Sequence, residues 1–113
     1  EGCSRYTILW FYLISCEECS KEAVALAEKE KYLRKKGVKV KAIYVGEDEE
    51  AWRDFQKRNP KKWVYLWDKT GKSGLDTLYD VRTVPQIYLL DRKKRVIGRE
   101  LGTEHLFDLL DTL

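Results

Sequence analysis

The chain of 113 residues contains no methionine, a single histidine and only two prolines, and its charges nearly cancel at a net +3. Each shortage excludes something. Without a methionine the sequence cannot begin at a translation start, so a mature or trimmed piece is expected, any export signal or partner domain lying outside it. The near balance of 22 basic and 19 acidic residues gives no support for a nucleic-acid or membrane-surface binder, which shows a clustered excess of one sign. The longest uncharged stretch, Tyr6 to Cys16, is about half of the roughly 20 residues that span a bilayer. No basic start, separate apolar region or small-residue cleavage site marks a signal peptide. Three cysteines are too few for a disulfide-stapled mini-protein, and their number does not fix the redox compartment.

What is present suffices for one packed domain. The composition is 43% hydrophobic and 12% aromatic, and the length suits a single core. Residues Tyr6 to Ile14 (YTILWFYLI) form a continuous apolar run, expected of a central strand covered on both faces. From Glu17 to Lys36 the period changes: Cys19, Ala23, Leu26, Ala27 and Leu33 recur at helical spacing, with Glu and Lys on the other face. Arg34, Lys35 and Lys36 suit the helix C-terminus, and Gly37 ends it. Val38 to Val45 reads as a second strand, and Asp48 as N-cap of a helix from Glu49 to Arg58 that Asn59-Pro60 stops. Trp63 to Trp67 is a short strand, and Asp68 to Gly74 a turn. Leu75, Leu78 and Tyr79 suggest a short helix. Gln86 to Leu90 and Arg95 to Leu101 flank a charged turn as a hairpin. A last helix runs from Thr103, as N-cap, to Leu113, with Leu106, Phe107, Leu109 and Leu110 inward. The order β-α-β-α-β-α-β-β-α predicts an α/β domain, a central mixed sheet flanked by helices on both faces.

The chemistry-bearing motif is Cys16-Glu17-Glu18-Cys19. Alone, a C-x-x-C is compatible with chance or with half of a zinc site. Zinc needs two further ligands, and only Cys3 and His105 remain, the latter on the last helix where solvent exposure is the plain expectation. Position favours redox chemistry. The motif falls where a buried strand ends and a long amphipathic helix begins, so Cys16 meets the free N–H groups and positive end of the helix, which favour a thiolate. Cys19, one turn on, heads the apolar stripe and is the less accessible thiol. Cys16 is therefore the expected attacking cysteine and Cys19 the resolving one.

Together with Thr83-Val84-Pro85 opening an apolar strand, and the closing hairpin and helix, these features resemble the thioredoxin-like superfamily. The stretch Tyr79 to Asp91 (YDVRTVPQIYLLD) is close to that family's pattern around its cis-proline. The separation of Cys16 from Pro85 exceeds that of a minimal thioredoxin. It is similar to the extracytoplasmic thiol–disulfide oxidoreductase branch, in particular to C-terminal thioredoxin-like domains of exported Bacteroides-type proteins. The resemblance implies that residues 1–113 are one thioredoxin-like domain, a fragment of a longer exported protein, periplasmic or lipid-anchored. It further implies a cis Pro85 packed on the redox pair, a Val84 whose backbone pairs with an extended substrate, and no cofactor. The partners implied are protein thiols and disulfides, an upstream redox donor and a missing N-terminal domain of the same chain, with no nucleic acid and no membrane contact from this domain. Without the C-x-x-C, Val84-Pro85 reads as an ordinary strand-entry proline.

The sequence also departs from thioredoxin, which has a tryptophan before its first cysteine and Gly-Pro between the pair. Those places hold Ser15, Glu17 and Glu18. The buried acid expected in the first strand, six residues before the first cysteine, is replaced by Trp10. Glu18 is open to a proton-relay role or, more plainly, to a solvated one at the helix start. The peroxidatic pattern of related peroxiredoxins is missing before Cys16. Lys61-Lys62 and Arg92 to Arg95 read as solvated turns, and Trp52, Trp63 and Trp67 as core or rim aromatics. Cys3 follows an acid and a glycine, a poor lipidation context. Two function classes stand: a disulfide-exchanging enzyme, reductant or isomerase, and a non-catalytic thioredoxin-like module in which Cys16–Cys19 is a static disulfide.

Overall fold

The computed structural model describes residues 5–67 and 84–113. The apolar run becomes β1 (Tyr6–Tyr12), followed by α1 (Glu17–Glu28), α2 (Glu30–Lys36), β2 (Val38–Tyr44), α3 (Glu49–Lys57), β3 (Val64–Trp67), β4 (Gln86–Leu90), β5 (Val96–Gly98) and α4 (Thr103–Asp111). The strands form one mixed sheet in the order β3-β2-β1-β4-β5. β1 and β2 pair in parallel, as do β2 and β3. β4 runs antiparallel to both β1 and β5.

β1 lies at the centre because both of its faces are apolar. Ile8, Trp10 and Tyr12 enter one core with Cys19, Ala23 and Leu26 of α1, Phe55 of α3 and Leu106 and Leu110 of α4. Leu9 and Phe11 enter a second core with Ile43, Tyr88 and Leu90. Trp10 is fully buried; truncating a buried side chain of that size costs about 3–5 kcal/mol, so β1 anchors the fold as well as the site.

The single helix expected over 17–36 is two. At Lys29 the backbone leaves helical geometry (φ −101°, ψ 18°), and its N–H reaches back only three residues, to the Leu26 carbonyl at 3.2 Å. The Lys29 ammonium lies over the rings of Tyr32 and Phe107 at 5.5 and 5.4 Å, and the Tyr32 hydroxyl donates to Asp111. The break thus sits where α2 is tied to α4, while Leu33 keeps its place in the core. Gly37 closes α2 in the left-handed region at φ 75°, a conformation that costs glycine nothing.

Two boundaries of the C-terminal part also differ from expectation. β5 stops at Gly98 rather than Leu101, because Glu100 turns to φ 53° and the Leu101 N–H returns to the Ile87 carbonyl at 3.1 Å. Gly102, not Thr103, is the N-cap of α4, in extended geometry and without a side-chain cap. Asp48 does cap α3, its carboxylate accepting the Ala51 N–H at 3.0 Å. The expected turn at Asp68 to Gly74, the helix around Leu75 to Tyr79, Thr83 and Cys3 lie outside the described residues. Among the described residues no helix is long and apolar enough to cross a membrane.

Candidate redox site

At the C-terminal end of β1 the chain leaves the sheet through Leu13, Ile14 and Ser15 and enters α1 with Cys16 as N-cap (φ −96°, ψ 120°). The cap is made by the sulfur: Cys16 Sγ accepts the Cys19 N–H at 3.1 Å. One free N–H of the first helical turn is thereby aimed at the partly exposed cysteine, where it favours negative charge. Cys19 is buried at 2% exposure, and its sulfur takes the Leu13 N–H at 3.5 Å. The two cysteines are joined as a disulfide with Cα atoms 5.1 Å apart, inside the usual span for such a bridge. One sulfur thus faces the outside and its partner the core, as the spacing predicts.

β4 brings the second predicted feature to the same end of the sheet. Its register pairs Phe11 with Gln86; continued, it sets Pro85 beside Tyr12 and Val84 beside Leu13, the residues that lead into Cys16. The Val84–Pro85 peptide bond is cis. Both residues are partly exposed, and Val84 and Cys16 pack against the same core.

The two glutamates between the cysteines are exposed. Glu18 forms an ion pair with Lys21 at 3.7 Å and belongs to the solvated face. The acid that sequence reasoning missed is Glu22. It is half-buried, and one carboxylate oxygen accepts the indole N–H of Trp10 at 3.0 Å. Burial raises its pKa above the ordinary value, the indole hydrogen bond opposes that rise, and the charge of Glu18 adds to it. Its signal in the sequence is the spacing of three from Cys19, which places it on the next turn of the same helix.

Two depressions adjoin the motif. A cleft of about 550 Å³ runs from Leu13, Ile14 and Ser15 to Gly46, Asp48 and Glu49. Its far wall is fixed: Trp67 donates to the Gly46 carbonyl at 2.9 Å, the Tyr44 hydroxyl accepts the Asp48 N–H at 3.0 Å, and a Cβ on Gly46 would strike the Tyr44 ring. A groove of about 240 Å³ on the other side is lined by Cys19, Ser20, Val24, Phe55 and Arg58.

The sequence pattern of the AhpC/TSA family matches residues 1–99. The chain belongs to the AhpC/TSA family. It is 32% identical over 88 residues to the thiol-disulfide oxidoreductase ResA of Bacillus subtilis, an overlap of 78% of this chain and 48% of ResA. The chain therefore spans about half the length of that relative. Among solved structures it is similar to a conserved protein of unknown function from Bacteroides fragilis (37% identity, TM-score 0.81, 95% of this chain and 80% of that one). It is also similar to a thioredoxin-like protein from Bacteroides caccae (27% identity, TM-score 0.82, 96% and 40%). The thioredoxin-like fold anticipated from the motifs is the fold of this AhpC/TSA domain, and its family relatives include named thiol–disulfide oxidoreductases.

Proposed function

We propose that this domain exchanges disulfides with protein substrates through Cys16 and Cys19. The supporting observation is the asymmetry of the pair: a partly exposed Cys16 whose sulfur receives a helix N–H, and a buried Cys19 behind it. In the reduced protein the Cys16 thiolate attacks one sulfur of a substrate disulfide and expels the other as a thiolate. Cys19 then gives its proton to a base, and its thiolate attacks Cys16 Sγ. The Cys16–Cys19 bond closes, the second substrate thiolate leaves and takes the proton, and the substrate has gained two electrons. We assign that base to Glu22, three residues from Cys19 on the same helix and half-buried, rather than to Glu18, which is exposed and paired with Lys21. Val84 and Pro85 offer the strand edge beside which an extended substrate segment lies. An upstream dithiol donor restores the pair.

The direction is that of a reductant or isomerase. A helix N-terminus contributes roughly 0.3–1 kcal/mol to an adjacent anion, less than the 1.36 kcal/mol of one pKa unit, and two exposed carboxylates stand against it. A reduction potential as oxidising as about −120 mV, typical of a strong oxidant, would overturn this. We place the domain outside the cytoplasm, as part of a longer exported protein with a preceding domain.

The second reading, a binding module with a static disulfide, draws on Trp10 standing where thioredoxins carry a strand acid. Insulin reduction by the wild type and Cys16→Ser separates the two. The enzyme reading expects turnover that the variant abolishes; equal rates eliminate it.

A further inference from the structure

Trp10 is a large aromatic in the middle of the central strand, and packing alone explains its presence there. Packing does not explain its hydrogen bond. Its ring stacks on Tyr12 (centroids 4.5 Å apart, planes 7° from parallel), meets Phe55 of α3 at 6.0 Å and stands edge-on to Trp63 at 6.0 Å. Three aromatic neighbours from β1, α3 and the approach to β3 therefore fix the plane of the indole. In that packed orientation its N–H points at one oxygen of Glu22. An indole N–H is a donor only, so it holds the carboxylate form and leaves the second oxygen open.

We infer that Trp10 is a positioning residue for disulfide exchange: its indole N–H keeps Glu22 oriented and charged, one oxygen engaged and the other free to take the Cys19 proton. The inference rests on the exchange reading above. The thiol proton of Cys19 passes to the free oxygen of Glu22, directly or through a water. The S–H electron pair stays on sulfur and forms the new bond to Cys16, and Glu22 later returns the proton to the departing substrate thiolate. Trp10 touches none of the reacting atoms and acts only through Glu22.

Few other charges bear on that carboxylate among the described residues. From its own helix Glu18 opposes the charged form, and Glu18 is itself paired with Lys21. From β1 comes Trp10. The side chains of α3 and of the approach to β3 that pack on Trp10 are the uncharged Phe55 and Trp63. Arg58, which lines the groove beside Cys19, is engaged by Asp54 at 3.4 Å. From α4 the core receives Leu106 and Leu110. Removing the indole donor therefore leaves burial and Glu18 acting unopposed.

Trp10→Phe keeps a ring in the core and deletes the donor. The expected result is that the acid limb of the pH–rate profile for closing the Cys16–Cys19 bond moves up by about one pH unit, the size of one hydrogen bond to a charged group. Glu22→Gln removes that limb, and adding Trp10→Phe to it shifts nothing further. A lower melting temperature with an unmoved profile means that Trp10 only packs, and overturns the inference. A second measurement needs no variant: in wild-type protein the Trp10 indole N–H resonance must titrate with the Glu22 carboxyl, at a midpoint that differs between the disulfide and dithiol states. An indole signal that ignores Glu22, or a midpoint indifferent to the cysteine state, also overturns it. Absence of insulin turnover in the wild type sinks the exchange reading by a separate result, while the indole titration still decides whether Trp10 governs Glu22.

Discussion

Along α1, Glu18 and Glu22 stand one turn apart and meet opposite surroundings. Glu18 is exposed, with Lys21 within ion-pair distance; such a pair is worth at most about 1 kcal/mol and is screened by salt. Glu22 is half-buried against a fully buried tryptophan and its charge is opposed by burial. The exposed first turn of the helix therefore spends little to hold charge and gains little from it. One turn further along, where α1 packs on the core, a carboxylate is kept at a cost to stability, three residues from a buried thiol that must lose a proton. The two glutamates lie on one side of the helix and differ by one turn along it, so the placement of chemistry depends on where α1 starts. The Cys16 sulfur cap sets that start.

The largest way to test this contrast is to remove the inner thiol. Cys19→Ser is expected to stop turnover and to leave Cys16 joined to substrate as a mixed disulfide, detectable by non-reducing gel and mass spectrometry. Ser20→Ala, a neighbouring exposed position, is expected to leave turnover unchanged. A Cys19→Ser protein that still turns over would place the resolving thiol elsewhere in the chain.

Next in size is the inner carboxylate. Glu22→Gln is expected to slow exchange about 10²-fold near neutral pH, the low end of what general acid–base catalysis supplies, while stability holds or rises. The sign follows from linkage. The folded-state pKa of Glu22 is raised above its ordinary 4.5, so its favourable contribution is full below 4.5 and is lost as pH rises through the folded value. Glutamine keeps an oxygen for the indole without needing to be charged. Urea midpoints of wild type and variant should thus diverge in the variant's favour across that window. A destabilised Glu22→Gln with unchanged rate would make Glu22 a structural acid.

Much of this arrangement is legible in the sequence because it follows from single strong signals. The nine-residue run from Tyr6, apolar or aromatic except for Thr7, leaves no polar face, and only a central strand accepts that. The Asp48 cap and the Asn59-Pro60 stop bracket α3 by local chemistry. The break at Lys29 carries no such mark: neither glycine nor proline interrupts 17–36, and the break coincides with contacts of Lys29 to Tyr32 and Phe107 on two different helices. Thr103 looked like the better cap of the last helix by side chain, yet the extended geometry falls on Gly102. Glu22 was hidden for a related reason. Helical patterning sorts charged residues to the solvent side, and nothing local says that an indole from β1 waits on the inner side. Trp10 in turn read as the loss of a strand acid, whereas in three dimensions it meets a carboxylate supplied from the neighbouring helix.

The smallest expected effect joins the two turns. Glu17→Gln/Glu18→Gln removes two exposed negative charges flanking Cys16, and at these exposures solvent screens most of their field. The Cys16 thiolate should be favoured by a few tenths of a kcal/mol, which for a two-electron couple at 30 mV per 1.4 kcal/mol raises the reduction potential by about 10 mV. That shift is readable by equilibration with a glutathione buffer. Because Glu18 also pushes the Glu22 pKa upward, the same variant should move the acid limb of the exchange rate slightly to lower pH, opposite to Trp10→Phe. If the potential moves and the acid limb does not, Glu18 acts on Cys16 alone and the two turns are electrostatically separate. Movement of both in these directions means that the exposed charges of the first turn tune the half-buried acid one turn along the same helix.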